Sequence, residues 1–238
     1  MQLDVFTLVP HAFAWLTEQR PVASVLGDGL DLRLLNYRDF SPLRAGQVDD
    51  EPYGGGAGMV LRVDVAAAAL DGVYGGVPEH RVVALTPQGR PLTQQVVEEL
   101  AGEERLTILS ARFEGFDERI LVHLCSDAVS IGPYILSGGE LAAMVLCDTL
   151  LRKLPGALGD ERSSTEESFS ATLGGAPEYP HYTRPAEHRG WRVPDVLLSG
   201  HHQRIAEWRR ERSRERAERL RGGPESSATM DGPRCQDP

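Results

Sequence analysis

The sequence lacks the features that mark several classes of protein. Cys125, Cys147 and Cys235 are its only cysteines and none forms a C-x-x-C pair, so we expect no disulfide framework, no zinc site and a reducing, cytoplasmic location. No run approaches the roughly 18 apolar residues that a membrane-spanning helix needs. The first ten residues, M-Q-L-D-V-F-T-L-V-P, include an early acid and no basic region. They predict a first buried strand and not a signal peptide.

Basic charge is also scarce, since Asp and Glu outnumber Lys and Arg by 35 to 25 and the formal net charge is −10. A protein that coats DNA or RNA indiscriminately is therefore not expected, although a local basic surface is compatible with this balance. Residues 203–221 are the exception, with eight Arg and four Glu. This segment predicts either a solvated helix with Glu–Arg pairs one turn apart or a face that contacts phosphates.

Short apolar runs alternate with helical patterns through the first 150 residues. The predicted strands are L-D-V-F-T-L-V-P, L-D-L-R-L-L-N-Y, R-V-V-A-L-T-P and L-T-I-L-S-A-R-F, and the predicted helices between them are V-A-A-A-A-L-D-G and T-Q-Q-V-V-E-E-L-A-G. A longer helix is predicted over residues 140–154. This alternation is typical of βαβ units, so we predict an α/β fold with a mostly parallel sheet and a ligand beyond the carboxyl ends of its strands.

Three predicted strand ends have glycine turns, at T-P-Q-G (86–89), R-F-E-G (112–115) and S-I-G-P-Y (130–134). If these turns share one sheet edge, their backbone groups form a pocket with little side-chain charge, suited to an adenosine-like ligand. The apolar run of residues 131–136 is itself predicted to be a short strand. A fourth glycine-rich segment, residues 48–61, is either a flexible turn or, because the paired acids Asp49 and Asp50 lie beside it, a functional loop.

Four composite motifs resemble a known family. D-D-x-P-Y-G-G-G-x-G-M, S-I-G-x-Y-x-L-S-G-G-E-L-x-A-M, P-H-Y-T-R-P and V-P-x-V-L-L-S-G-x-H, in this order and spacing, are similar to those of the bacterial tRNA (guanine-37-N1)-methyltransferases. These belong to the SPOUT class of methyltransferases that use S-adenosyl-L-methionine (AdoMet). The resemblance extends from residue 1 to about residue 221. It implies a tRNA substrate, a homodimer and a sheet whose C-terminal part is tied in a trefoil knot.

The resemblance also implies a division of the chain and a set of site residues. The division is a knotted AdoMet-binding domain at 1–159, a flexible linker at 160–175 and a helical tRNA-binding domain at 176–221. Composition predicts a disordered tail at 222–238. The residues expected to bind AdoMet are Thr86, Pro87, Gln88, Gly89, Ala111, Glu114, Gly115, Ile131, Gly132, Pro133, Tyr134, Ile135, Leu136, Gly138 and Gly139. Those expected to contact RNA are Asp49, Arg184, His202 and Arg209.

The chemistry of guanine methylation indicates what the catalytic residues must do. Guanine N1 holds a proton at neutral pH, so a carboxylate must remove it, and a guanidinium can stabilise the charge that moves to O6. The resemblance places the base at Glu167 and the cation at Arg152. Family members are reported to use Mg²⁺, but the sequence shows no set of metal ligands.

Three positions depart from the family pattern. Glu167 stands where Asp is usual, Ala111 replaces a glycine and Pro133 replaces an Asp. The longer carboxylate can be accommodated by a flexible loop, so we expect activity to survive. Two alternatives remain open at this point: a SPOUT enzyme with another RNA target, and a non-catalytic tRNA-binding relative that no longer binds AdoMet.

Overall fold

The computed structural model describes residues 1–157 and 167–221, and the chain divides into two units, residues 1–159 and 160–238. In the first unit, strands and helices alternate as predicted. Its strands are β1 (Gln2–Thr7), β2 (Asp31–Asn36), β3 (Asp49–Asp50), β4 (Val60–Leu61), β5 (Arg81–Pro91), β6 (Arg105–Ser110) and β7 (Asp127–Ser130). Its helices are α1 (Ala14–Glu18), α2 (Arg20–Ala23), α3 (Val63–Tyr74), α4 (Gln94–Ala101), α5 (Glu118–His123) and α6 (Glu140–Leu151).

The first unit is built on a five-stranded sheet in the order β2-β1-β6-β5-β7, and every pair in it is parallel. The prediction of an α/β fold with a parallel sheet is confirmed. Apolar clusters cover both faces, one including residues of α4 and α6 and the other residues of α3 and α5. Burial on both sides explains the nearly continuous apolar runs of the strands. Within residues 1–157 and 167–221, no helix combines the length and apolar character needed to cross a membrane.

One row of polar side chains crosses this sheet. Asp4 of β1 is only 1% exposed, and both of its oxygens accept hydrogen bonds of 2.5 Å from Arg33 of β2. The Tyr74 hydroxyl donates to Asp4 at 2.5 Å and lies 2.8 Å from the hydroxyl of Thr107 on β6. Burial, followed by the bond to Asp4, raises the pKa of Tyr74. A buried carboxylate is stable only with such partners, so the row helps to fix the register of three strands.

Two sequence predictions about strand ends were wrong. Residues 131–136 do not form a strand, because β7 ends at Ser130 and the chain then runs irregularly to α6. The reason is local: Gly132 has a φ of +154°, and Pro133 has no N–H with which to extend a ladder. Likewise the T-P-Q-G turn does not end its strand, since β5 resumes after it and continues to Pro91. Helix α6 also ends at Leu151, three residues before the predicted boundary.

The second unit contains a short hairpin, β8 (Glu187–His188) and β9 (Trp191–Arg192), and two helices, α7 (Asp195–Leu198) and α8 (His202–Arg221). Helix α8 is attached to the segment before the hairpin, where Ser213 donates to the Pro177 carbonyl at 2.7 Å and Arg216 to the Glu178 carbonyl at 2.8 Å. Of the predicted linker, residues 160–166 lie outside the described residues and 167–175 contain a 3-10 turn. The predicted tail at 222–238 also lies outside them.

Candidate active site

A cavity of about 430 Å³ lies at the carboxyl ends of β6 and β7 and beside residues 85–88, where β5 is interrupted. Its volume falls within the usual range of about 300–1,000 Å³ for small-molecule sites. All the residues expected to bind AdoMet line this one cavity, except Gly89 and Pro133. Three segments that are remote in sequence thus form its walls, as predicted for turns that share one edge of a parallel sheet.

The first wall is an excursion from β5. Leu85 and Arg90 both pair with Val129 of β7, so the residues between them leave the ladder and return to the same point. Thr86, Pro87 and Gln88 line the cavity. Gly89 faces the neighbouring strand instead, because a Cβ on it would lie 2.6 Å from backbone carbonyl carbons of that strand. The lack of a side chain at Gly89 therefore permits close strand packing, and its predicted contact with AdoMet stays a prediction.

The second wall follows β6 and is joined to the glycine-rich segment. Strands β3 and β4 pair as an antiparallel hairpin, so residues 51–59 form its loop. The Glu114 amide donates to the Met59 carbonyl at 2.8 Å, and the Leu61 amide to the Gly115 carbonyl at 2.9 Å. The predicted functional loop is therefore bonded to the cavity wall. At its base, Arg62 forms ion pairs with Asp50 and Asp64.

The third wall is the irregular connection between β7 and α6. The Gly139 amide donates to the Ala111 carbonyl at 2.6 Å, and a Cβ on Gly139 would lie 3.1 Å from both the nitrogen and the oxygen of Ala111. Buried Glu140 begins α6, with its Oε1 3.1 Å from Arg112 Nε. Gly139 therefore allows this connection to contact the end of β6, which is a contact within the protein. Pro133 is not among the residues that line the cavity, and its predicted contact with AdoMet stays a prediction.

The cavity has more charge than the sequence predicted. Arg112, Glu114 and Glu118 all line it, together with apolar residues such as Phe116 and Leu121. Sequence reasoning assigned only Glu114 among these. Arg112 and Glu118 lie between or just beside the assigned positions. Sequence reasoning would have found them if it had considered the whole segment from β6 to α5 and not only its glycine turn. The mixture of carboxylates and apolar surface suits a cationic ligand with an aromatic part.

The two residues expected to be catalytic belong to different units. Arg152 directly follows α6 in the first unit, where it is exposed and its amide donates to the Asp148 carbonyl at 3.2 Å. Glu167 belongs to the second unit and is half-buried, and its carbonyl accepts from the Ser170 amide at 3.1 Å. The catalytic roles of both residues stay predictions.

The residues expected to contact RNA are also spread over the two units. Asp49 is half-buried in β3, and Arg184 and His202 are exposed in the second unit. Arg209 lies over the ring of Tyr179, with its guanidinium carbon 4.5 Å from the ring centre. Part of its surface therefore packs against its own unit, while its predicted role in RNA binding is not tested by this contact.

Neither metal nor thiol chemistry has a visible basis in the described residues. Residues 1–157 and 167–221 contain no group of three or more His, Cys, Asp or Glu side chains placed to hold a metal ion. Burial raises the pKa of both Cys125 and Cys147 to about 12. These thiols are therefore protonated at neutral pH and are poor nucleophiles.

Together, the parallel sheet and the cavity at its strand ends define an α/β protein with a cavity large enough for a ligand of nucleoside size. The family model described as tRNA (guanine-1)-methyltransferase TrmD matches residues 1–223. The chain belongs to this family of tRNA-methylating enzymes, which confirms the resemblance in the motifs.

Relatives named tRNA (guanine-N(1)-)-methyltransferase match almost the whole chain. The protein of Brevibacillus brevis is 49% identical over 226 residues, covering 93% of this chain and 90% of its own length. That of Geobacillus kaustophilus is 47% identical, covering 90% and 86%, and that of Bacillus cereus strain B4264 is 46% identical, covering 90% and 87%. These relatives therefore align with both units of the chain.

Proposed function

We propose that this protein transfers a methyl group from AdoMet to N1 of guanine 37, next to the anticodon of tRNA. The observation that supports this most directly is the single cavity in which the family's motif residues meet, although they come from three separate segments. Membership of the tRNA (guanine-1)-methyltransferase family supports the substrate. The cytoplasm, where tRNA is modified in bacteria, is the location that fits this function.

The residues around the cavity fit AdoMet. The ligand is an adenosine joined to a positively charged sulfonium and an amino acid. The carboxylates of Glu114 and Glu118 would attract the cationic part, and Arg112 offers donors for a carboxylate. The apolar side chains between them suit the adenine. The cavity is open although Ala111 and Pro133 depart from the family pattern, which favours AdoMet binding over the non-catalytic alternative.

When bound, AdoMet supplies an electrophilic methyl group. Glu167 would accept the N1 proton of guanine while the bond from N1 to the methyl carbon forms and the bond from sulfur to that carbon breaks. Arg152 would stabilise the negative charge that develops on O6. The described residues offer no three-carboxylate or histidine site for Mg²⁺, so no step is assigned to a metal here.

The surface of α6 supports assembly as a homodimer. This helix is apolar on nearly all sides: Ala143, Leu146 and Leu150 are buried in the unit, whereas Leu141 and Val145, one turn apart, are 57% and 43% exposed. A helix that is apolar all round normally has a partner on each side. We propose that a second copy covers this exposed face, and that the segment after β7 forms the trefoil knot of the SPOUT class.

The test of this function compares two neighbouring glutamates. We expect Glu167→Gln to leave the affinity for AdoMet unchanged and to lower the rate of methyl transfer by about 10²–10⁴-fold, the usual contribution of a positioned base. The matched variant Glu166→Gln removes the same charge one residue away. The measurements are calorimetric titration with AdoMet and methylation of tRNA transcripts with guanine 37.

Each alternative gives a different result in the same experiment. Equal activity of the Glu167→Gln and wild-type proteins would remove Glu167 from the role of base. Methylation that persists when guanine 37 is replaced would indicate another RNA target. Absence of AdoMet binding by the wild-type protein would support the non-catalytic alternative.

A further inference from the structure

The shape of one cavity wall depends on the residue at which β5 resumes. Residues 86–89 leave the ladder after Leu85 and rejoin it at Arg90, and both of these residues pair with Val129. The two ends of the excursion therefore lie side by side on β7. Since Thr86, Pro87 and Gln88 line the cavity, Arg90 is the residue at which cavity-lining backbone returns to the ladder.

Two carboxylates from two other elements hold the Arg90 side chain. Asp127 of β7 accepts from Nε at 3.1 Å and from Nη2 at 2.5 Å. Glu99 of α4 accepts from Nη1 at 2.9 Å and from Nη2 at 3.1 Å. Most isolated surface ion pairs contribute little to stability, but paired hydrogen bonds from one guanidinium within a network are the recognised exception. We call Arg90, Asp127 and Glu99 the ion cluster.

The members of the ion cluster are themselves well anchored. The Asp127 side chain is only 15% exposed, and its Oδ1 also accepts from the Ala128 amide at 2.8 Å. Hydrogen bonds from Arg90 first, and from Arg81, lower the pKa of Glu99 to about 2. Glu99 is thus charged at neutral pH. Arg90 is bonded to a neighbouring strand and to a packed helix, while it does not itself line the cavity.

We propose that Arg90 is a positioning residue for AdoMet, acting through the excursion of residues 86–89, an inference that rests on the proposed function. The ion cluster fixes the C-terminal end of the excursion, and the close packing of Gly89 on β7 fixes the residue before it. Without the cluster the excursion samples other arrangements. AdoMet would then bind only to the fraction of molecules in which this wall is correctly placed, and its apparent affinity would fall by that fraction.

The chain offers a matched control in Arg81. Arg81 lies on the same strand, before the excursion, and forms ion pairs with the same Glu99, with Glu103 and, at 3.9 Å, with Asp127. Arg81→Ala and Arg90→Ala each remove one positive charge and one partner of Glu99. We expect Arg90→Ala to raise the Kd for AdoMet about 5- to 10-fold. A change of this size corresponds to a fall in the fraction of molecules able to bind AdoMet to about a fifth or a tenth. Arg81→Ala should change this Kd by less than about twofold.

The kinetic readout separates positioning from a general loss of structure. For Arg90→Ala we expect a raised KM for AdoMet, an unchanged KM for tRNA and a kcat near the wild-type value at saturating AdoMet. Equal Kd values for the Arg90→Ala and Arg81→Ala proteins would overturn the inference. A fall in kcat together with a raised KM for tRNA would overturn it too, because it would indicate general damage.

A conservative variant keeps the test valid if Arg90→Ala does not fold. Arg90→Lys retains the charge but loses the planar guanidinium that reaches both carboxylates, so its Kd for AdoMet should lie between those of wild type and Arg90→Ala. If only Arg90→Lys folds, a Kd equal to that of wild type would overturn the inference. If wild-type protein itself does not bind AdoMet, the proposed function fails, and this inference fails with it.

Discussion

At the scale of single residues, close approach between backbones explains the glycines around the cavity. Gly89 faces β7 and Gly139 faces Ala111, each with too little space for a methyl group. In both cases the neighbour is protein. The sequence led us to expect that these glycines make room for the ligand. Their first effect is instead to bring together the segments from which the cavity is built.

Substitution of Gly139 tests this explanation against a control of the same conformation. Gly139 has φ −77° and ψ −6°, and Gly102 at the end of α4 has φ −76° and ψ −10°. A Cβ on Gly139 would lie 3.1 Å from two backbone atoms of Ala111, whereas one on Gly102 would approach no atom closer than 3.4 Å. We expect Gly139→Ala to lower the free energy of unfolding by about 1–3 kcal/mol, the usual cost of overpacking.

Gly102→Ala should leave stability unchanged or raise it by up to about 1 kcal/mol, because alanine restricts the unfolded chain. Denaturant unfolding of both variants is the measurement, with AdoMet titration as a second readout. Similar effects of the two substitutions would contradict the explanation from backbone contact.

At the scale of elements, the different faces of α8 have different partners. Ser213 and Arg216 bond to the preceding segment and Arg209 lies over Tyr179. Arg210 and Arg214 are one turn apart and exposed, and they make no ion pair or hydrogen bond within the described part of the chain. The sequence allowed either paired charges or a phosphate-contacting face. Arg212 pairs with Glu211 and Glu215, as the first alternative predicts, whereas the phosphate-contacting face stays a prediction.

The exposed face of α8 gives a prediction about tRNA binding. Arg210→Ala and Arg214→Ala should each weaken binding and lower the magnitude of the salt dependence, d log K/d log[salt], by about 1, as expected for loss of one phosphate contact. Arg216→Ala is the control, because it should reduce the stability of the second unit and leave this salt dependence unchanged. Filter binding of tRNA at several salt concentrations measures the salt dependence. An equal salt dependence in all variants would show that this face of α8 does not contact tRNA phosphates.

At the scale of the whole molecule, the apolar face of α6 determines the proposed assembly. Val145→Arg places a charge on the exposed apolar face, so we expect it to dissociate the proposed homodimer. Val122→Arg introduces the same charge on α5, where Val122 is 62% exposed, and should leave a dimer. Sedimentation velocity of the two variants is the measurement. A dimer that persists in Val145→Arg would show that another surface joins the copies.

The sequence by itself determined the α/β alternation, the parallel sheet and most of the residues around the cavity. Apolar runs and turn residues are local signals, so β1, β2 and β6 could be read directly from them. Composite motifs identified the family, because long matches of fixed spacing do not arise by chance. Comparison with the same motifs also identified Ala111 and Pro133 as departures from the family pattern.

Only the tertiary structure decided how the segments meet. The return of β5 at Arg90 and the bond between residues 59 and 114 both depend on partners far away in sequence. The packing of Arg209 on Tyr179 and the presence of charged Arg112 and Glu118 at the cavity were likewise decided by the tertiary structure. Local patterns specify which conformation a segment prefers, whereas close packing and ion pairing depend on what lies opposite it in the folded chain.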